Sequence, residues 1–205
     1  MEELTRKERE RLFRKGEIIT AAEKIFAEKG FNSTTLDDIA ETAEFGKGTL
    51  YNYFKGKEEI YESIVDDVIA NKERIISEAD IKTKTFKEFI ETDTKELFNY
   101  CAGNKNAFLI FVRELARFDR DYKYIKYEAL FKKLEHIKKI FVKRVENGIK
   151  AKEIRKLNPE KVWILFSHLT FPYFHHVLFC STTEINVDEE ISFILSVFFD
   201  GIKLG

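Results

Sequence analysis

TTLDDIAETAEFGKGTLYNYFKGK, residues 34–57, reads as two short helices joined by a tight turn. Thr35 is a good N-cap, and Asp38 three residues on can reach back to complete a capping box. Ile39, Ala40 and Ala43 then repeat at helical spacing. Glu44-Phe45-Gly46 breaks the pattern, and Gly46 is expected to take the backbone angles that a β-carbon resists. A second helix is expected over Lys47–Tyr53, with Leu50 and Phe54 on one face. Its other face carries Lys47, Thr49, Tyr51, Asn52, Tyr53 and Lys55. A helix this short is unstable alone, so it must rest on a small core. The outward inventory, small, hydroxylic, aromatic and cationic, suits phosphate oxygens and base edges of a DNA major groove. The pattern predicts a helix-turn-helix whose second helix is the reader.

Ile19 to Lys57, above all AAEKIFAEKGFNSTTLDDIAE and KGTLYNYFKGKEEIY, resembles the N-terminal DNA-binding domain of TetR-family transcriptional regulators. Several separated motifs stand in the family's order, which makes the likeness more specific than a lone helix-turn-helix pattern. One departure is visible: the family usually has Gly where this chain has Glu44. The resemblance implies an all-α fold of about nine helices, with an N-terminal three-helix helix-turn-helix domain (residues 1–56) and a larger helical domain for ligand binding and dimerisation (57–205). It implies DNA contacts from Thr35, Lys47, Gly48, Thr49, Tyr51, Asn52, Tyr53, Lys55 and Lys57.

Working outward, the first helix is expected to run to Lys29 with Ile18, Ala22, Ile25 and Phe26 inward. Gly30 should cap it, with Phe31 folding back. Residues 1–15 read as a frayed, basic extension, either a DNA-touching arm or a solvated helix end. Net charge is −1, so any DNA affinity must come from a local patch such as Arg6, Lys7, Arg9, Arg11, Arg14 and Lys15. From Lys57 a long helix is expected to Ala79, joined without a Gly/Pro-rich linker, so the joint is stiff. Lys55 and Lys57 at this joint suit phosphate contacts, helped by the positive helix end.

The remaining chain carries helical patterns ending near Gly103 and Phe118, then a long amphipathic one from Tyr124 to Ile149. Asn158-Pro159-Glu160 is a strong helix start. The helix it opens has no Asp, Glu, Lys or Arg from Val162 to Thr183, yet Ser167, His168, Thr170, Pro172, His175 and His176 make it too polar for lipid. The last helix, Asp188 to Lys203, is apolar over most of its circumference. Two such helices need a partner surface, and a homodimer through them as a four-helix bundle is what the resemblance implies. A two-fold dimer would set two reading helices about 34–36 Å apart on a pseudo-palindromic operator.

Twenty Phe and eight Tyr exceed what packing demands. Tyr100, Phe108, Phe111, Phe131, Trp163, Phe166, His168 and Phe171 are the candidates for an apolar pocket, which in this family holds a small effector. Pro172 should kink or end its helix and leave His168 facing a cavity. Metal ligation is not expected, since His168 and His175 lie two turns apart with no acid at i±4. Cys101 and Cys180 belong to no metal spacing, and no cofactor is called for. The charged N-terminus lacks an apolar core, so a cytoplasmic chain with reduced thiols is expected. No hydrolase, zincin or phosphate-loop motif is present. The function expected is a ligand-responsive, homodimeric DNA-binding repressor. The alternative is a helical small-molecule carrier without specific DNA binding.

Overall fold

The computed structural model describes residues 4–118, 127–182 and 184–202, with the side chains of 116–118 and 127–131 outside the description. The described residues form nine helices and no strand: α1 (Arg6–Lys29), α2 (Leu36–Thr42), α3 (Lys47–Tyr51), α4 (Lys57–Lys82), α5 (Phe86–Gly103), α6 (Lys105–Phe118), α7 (Tyr127–Lys150), α8 (Pro159–Phe179) and α9 (Val187–Ile202). They divide into two compact units. One takes residues up to 68 together with 106–114, and the other takes 69–105 with the rest of the chain from 115. The division falls inside α4 and α6, so each of these helices contributes to both units.

In the first unit the start of α1 differs from the frayed arm expected of residues 1–15. Thr5 accepts from the Glu8 amide, and the Glu8 carboxylate returns to the Thr5 backbone N–H at 2.7 Å, a complete capping box. The basic run is therefore ordered helix from Arg6 onward. Ile18, Ala22, Phe26, Ile39, Leu50, Phe54, Ile60 and Ile64 fill the core, as the helical period of each segment requires. Gly30 caps α1 at φ 78°. Phe31 then turns back onto Phe26 and Tyr61, with ring centroids 5.9 and 4.9 Å away. Arg113 of α6 closes the end of α1 by donating to the carbonyls of Phe26 and Ala27 at 3.1 and 2.8 Å.

The second unit is built around Phe141 of α7. Its ring meets Phe86 and Phe89 of α5, and Trp163 and Phe166 of α8, at 5.0–6.4 Å between centroids. Phe166 continues the stack onto Phe198 of α9. At Gly148 α7 passes so close to α5 that a β-carbon would sit 3.0 Å from that of Phe86. Arg144 finishes α4, donating to the carbonyls of Asp80 and Thr83 at 2.9 and 2.7 Å while its Nε lies 2.7 Å from the Asp80 carboxylate. Pro172 does not end α8, which continues to Phe179 with the proline on its exposed face. Among the described residues no helix is long and apolar enough to cross a membrane.

Candidate nucleic-acid interface

The turn between α2 and α3 is a Schellman motif, and its left-handed residue is Glu44, not Gly46. Glu44 has φ 57°. Its amide donates to the Glu41 carbonyl at 3.1 Å, and the Phe45 amide donates to the Ala40 carbonyl at 2.9 Å. These are the two hydrogen bonds that define the motif, in which glycine is the usual left-handed residue. Gly46 has ordinary extended angles (φ −65°, ψ 143°) and serves as the N-cap of α3, its carbonyl accepting from Thr49. The turn thus keeps the geometry a glycine would give, and glutamate bears the strain.

Leu50 and Phe54 anchor the reading helix with 1 and 3 % exposure. Regular helix ends at Tyr51, shorter than expected, with Asn52 as C-cap and Tyr53 and Phe54 still donating to the Leu50 carbonyl. Opposite the anchors, Lys47, Gly48, Tyr51, Asn52 and Lys55 are exposed, and Thr49 and Tyr53 are partly so. Tyr51 has 54 % of its surface in water. Thr35 is exposed too, but its hydroxyl and amide are engaged by Asp38 at 2.7 and 2.8 Å in the cap of α2.

The charges nearby are arranged rather than loose. Lys29 reaches Asp38 at 2.7 Å. That contact, with the Thr35 hydrogen bonds, holds the Asp38 carboxyl well below the usual carboxylate range. Asp37 accepts from Lys47 at 2.8 Å and raises the lysine's pKa, so the cation is secured in front of the reading helix. Lys57 does something the sequence did not disclose. Its ammonium donates to the carbonyls of Phe31 and Thr34 at 2.9 and 2.7 Å and lies 4.7 Å above the Phe31 ring. Lys55 has an exposed side chain, while its amide donates to Glu59 at 2.6 Å. Lys15 lies 5.2 Å over the Phe54 ring, which brings the end of the basic run of α1 beside the reading helix.

The residues expected to hold a ligand fall in both units. Phe108 and Phe111 are buried in the first unit, whereas Tyr100, Trp163, Phe166, His168 and Phe171 belong to the second. The side chain of Phe131 lies outside the described residues. His168 is exposed. Its Nδ1 lies 2.8 Å from the Ile164 carbonyl. A groove of about 620 Å³ lies elsewhere, between α5 and α9, floored by Phe86, Ile154, Ile191, Leu195 and Phe199. None of the expected ligand residues lines it. No group of three or more His, Cys, Asp or Glu able to hold a metal occurs among the described residues.

A five-residue helix, anchored by two apolar side chains and delivered by a capped turn with cations around it, is the reading element of a helix-turn-helix DNA-binding protein. The family model "Bacterial regulatory proteins, tetR family" matches residues 18–64, the core and reading helix just described. Over these residues the chain carries a DNA-binding domain of the TetR type. The chain is 28 % identical over 148 residues to the uncharacterized HTH-type transcriptional regulator YhgD of Bacillus subtilis, covering 72 % of this chain and 75 % of that one. IcaR of Staphylococcus epidermidis, the negative transcriptional regulator of the biofilm operon icaADBC, is 43 % identical over 53 residues, 26 % of this chain and 29 % of that protein. The fold matches that of FadR from Bacillus subtilis, solved in complex with stearoyl-CoA, with a TM-score of 0.76 and 21 % identity over 91 % of this chain and 98 % of that one. The carrier alternative is not favoured, because the family match falls on the DNA-reading elements themselves.

Proposed function

We propose that the protein is a cytoplasmic homodimeric repressor that sits on a pseudo-palindromic operator and is released by a small apolar or aromatic effector. The observation that carries this reading is the exposed face of α3 on its buried Leu50 and Phe54 anchors. Thr49, Tyr51 and Asn52 read base edges and groove shape. Lys47, Gly48, Tyr53, Lys55 and the basic first turns of α1 meet phosphates, which supply affinity without sequence information. Thr35 and Lys57 act one step back, by fixing the start of α2 and the approach of α4.

Residues 1–56 form the DNA-binding domain and 57–205 the effector and dimerisation domain in this reading. The protein acts by binding alone and catalyses nothing. Tyr100, Trp163 and Phe171 are the aromatic residues of the second unit that are only partly buried and can shift to line an effector cavity. That FadR holds stearoyl-CoA supports an effector with a substantial apolar part. Effector binding favours a conformer of α4 that does not fit both operator halves. α4, which contributes residues 57–68 to one unit and 69–82 to the other and directly follows the reading helix, couples the two events in this reading. A coupling of about 1–3 kcal/mol changes operator affinity five- to 150-fold, and operator must weaken effector binding by the same factor.

The test is selection of the purified protein on a random duplex library at two salt concentrations, followed by sequencing. Enrichment of a palindrome whose binding weakens at higher salt is the expected result. A steep salt dependence with no enriched sequence would overturn the specific-repressor reading.

A further inference from the structure

Asp37 brings a carboxylate to the reading helix. Both of its oxygens receive the Lys47 ammonium, at 2.8 and 2.9 Å, while the Asp37 and Lys47 side chains keep 67 and 52 % of their surfaces exposed. Lys47 is the first residue of α3, and Asp37 lies in the first turn of α2. In a helix-turn-helix the N-terminal residues of the second helix are those that reach base edges. The ion pair therefore holds an acid beside that end of α3. The neighbouring acids of α2 are placed differently. Asp38 is committed to the Thr35 cap and to Lys29, and Glu41 is exposed one turn further along.

Stability does not account for Asp37. The Thr35–Asp38 box already caps α2. An exposed ion pair contributes little, and a first-turn acid only modestly. General affinity does not account for it either. Non-specific attraction to DNA comes from cations meeting phosphates, and an acid at the interface subtracts from it. A carboxylate only accepts hydrogen bonds, so no phosphate oxygen can serve it. The donors a duplex offers in its major groove are the amino groups of cytosine N4 and adenine N6. Adenine N6 sits between two acceptors, N7 of its own base and O4 of the paired thymine, and both repel a carboxylate. Cytosine N4 has such a neighbour on one side only, O6 of the paired guanine. Cytosine is the better match. Lys47 completes the arrangement, because an ammonium with three protons can hold Asp37 and still donate to a phosphate.

We propose that Asp37 is a specificity-determining residue of the interface, its carboxylate accepting from a cytosine amino group in each half-site while Lys47 holds it in place. This rests on the DNA-binding reading given above. It adds an acid that lowers general affinity and raises base selection.

Library selection with the full-length parent, Asp37→Asn and Glu41→Gln tests it. Asparagine keeps the size of the side chain and removes its charge, and Glu41→Gln removes a charge elsewhere on the same helix. The parent should enrich a G·C pair at one position of each half-site. Competition between duplexes that differ only there should show a preference of about fivefold or more. Asp37→Asn should lose that preference and keep the others, whereas Glu41→Gln should keep them all. Both variants should bind unrelated duplex more tightly than the parent, since each removes a repulsive charge. Melting curves check that each variant is folded, and Asp37→Ser, which also suits a helix start, replaces the asparagine variant if that one is not. A parent that enriches no sequence overturns the DNA-reading function itself. An enriched palindrome whose preferences survive Asp37→Asn, change only at an A·T position, or are lost equally in Glu41→Gln overturns the role of Asp37 and leaves the function standing.

Discussion

The Lys72 ammonium and the Asp93 carboxylate meet inside the second unit, both oxygens of Asp93 accepting at 2.7 Å, with side-chain exposures of 8 and 0 %. The pair ties α4 to α5 in otherwise apolar surroundings that include Ile69, Ile76, Ile90 and Leu97. Two charges are costly to bury and are held by each other, so the pair is worth little as a unit and much as a dependency.

Asp93→Ala should therefore lower unfolding stability by about 3–5 kcal/mol, since it leaves an uncompensated buried ammonium. The double variant Lys72→Met/Asp93→Leu should recover most of that loss. Urea unfolding of the two variants beside the parent decides it. A double variant as unstable as the single one would mean the pair contributes net stability.

Glu44→Gly should stabilise the chain by about 0.5–1 kcal/mol. A left-handed non-glycine residue costs about 1–2 kcal/mol, part of which glycine returns as greater freedom of the unfolded chain. The enriched operator sequence should not change, because the backbone path is already the one glycine would follow. Thermal melts of the two proteins read the first claim, and repeated library selection reads the second.

On DNA, Thr49→Ala should relax preference at one base position of each half-site. Lys55→Ala should weaken all sequences evenly and reduce the logarithmic salt slope by about 1 per half-site. Fluorescence anisotropy on an operator and its single-base variants, across salt, separates the two. The opposite pattern would exchange their roles.

The two thiols should differ sharply in reactivity. Burial pushes the Cys101 thiol up to about 12, so it stays protonated through the neutral and mildly alkaline range, while Cys180 is exposed at the end of α8. A chromogenic disulfide reagent at pH 8 should label one thiol per chain quickly and the second only as the protein unfolds. Fast labelling of both would mean that the α5 interior opens readily.

Much of this arrangement was legible beforehand because local rules decide it. Helical period gave the inward faces of α1, α4 and α7, and Thr35, Gly30 and Asn158-Pro159 marked caps the structure contains. What escaped depends on partners far along the chain, or on the backbone overriding residue preference. Thr5 and Glu8 form a standard box, but the surrounding run of alternating charge disguised it as a frayed end. Glu44 is left-handed because the helix ladder and the Phe45 amide demand it, and side-chain preference pointed to the glycine two residues later. Lys57 looked like a phosphate ligand, yet its acceptors are 23 and 26 residues away. An aromatic residue's period tells that it is buried, not with which neighbours, and Phe108 and Phe111, read as pocket candidates, are buried residues of the first unit.

The grip of Lys57 on the Phe31 and Thr34 carbonyls also sets the mechanical compliance of the DNA-reading unit. Lys57 opens α4, and Thr34 immediately precedes the cap of α2, so no free segment lies between them to absorb a displacement. A shift at the first turn of α4 is passed to α2 through one side chain, and from there across the Glu44 turn to α3. The unit should consequently respond to force as one piece, reorienting its reading helix without reshaping it, so that release from DNA costs geometry between half-sites and spares the fit within each.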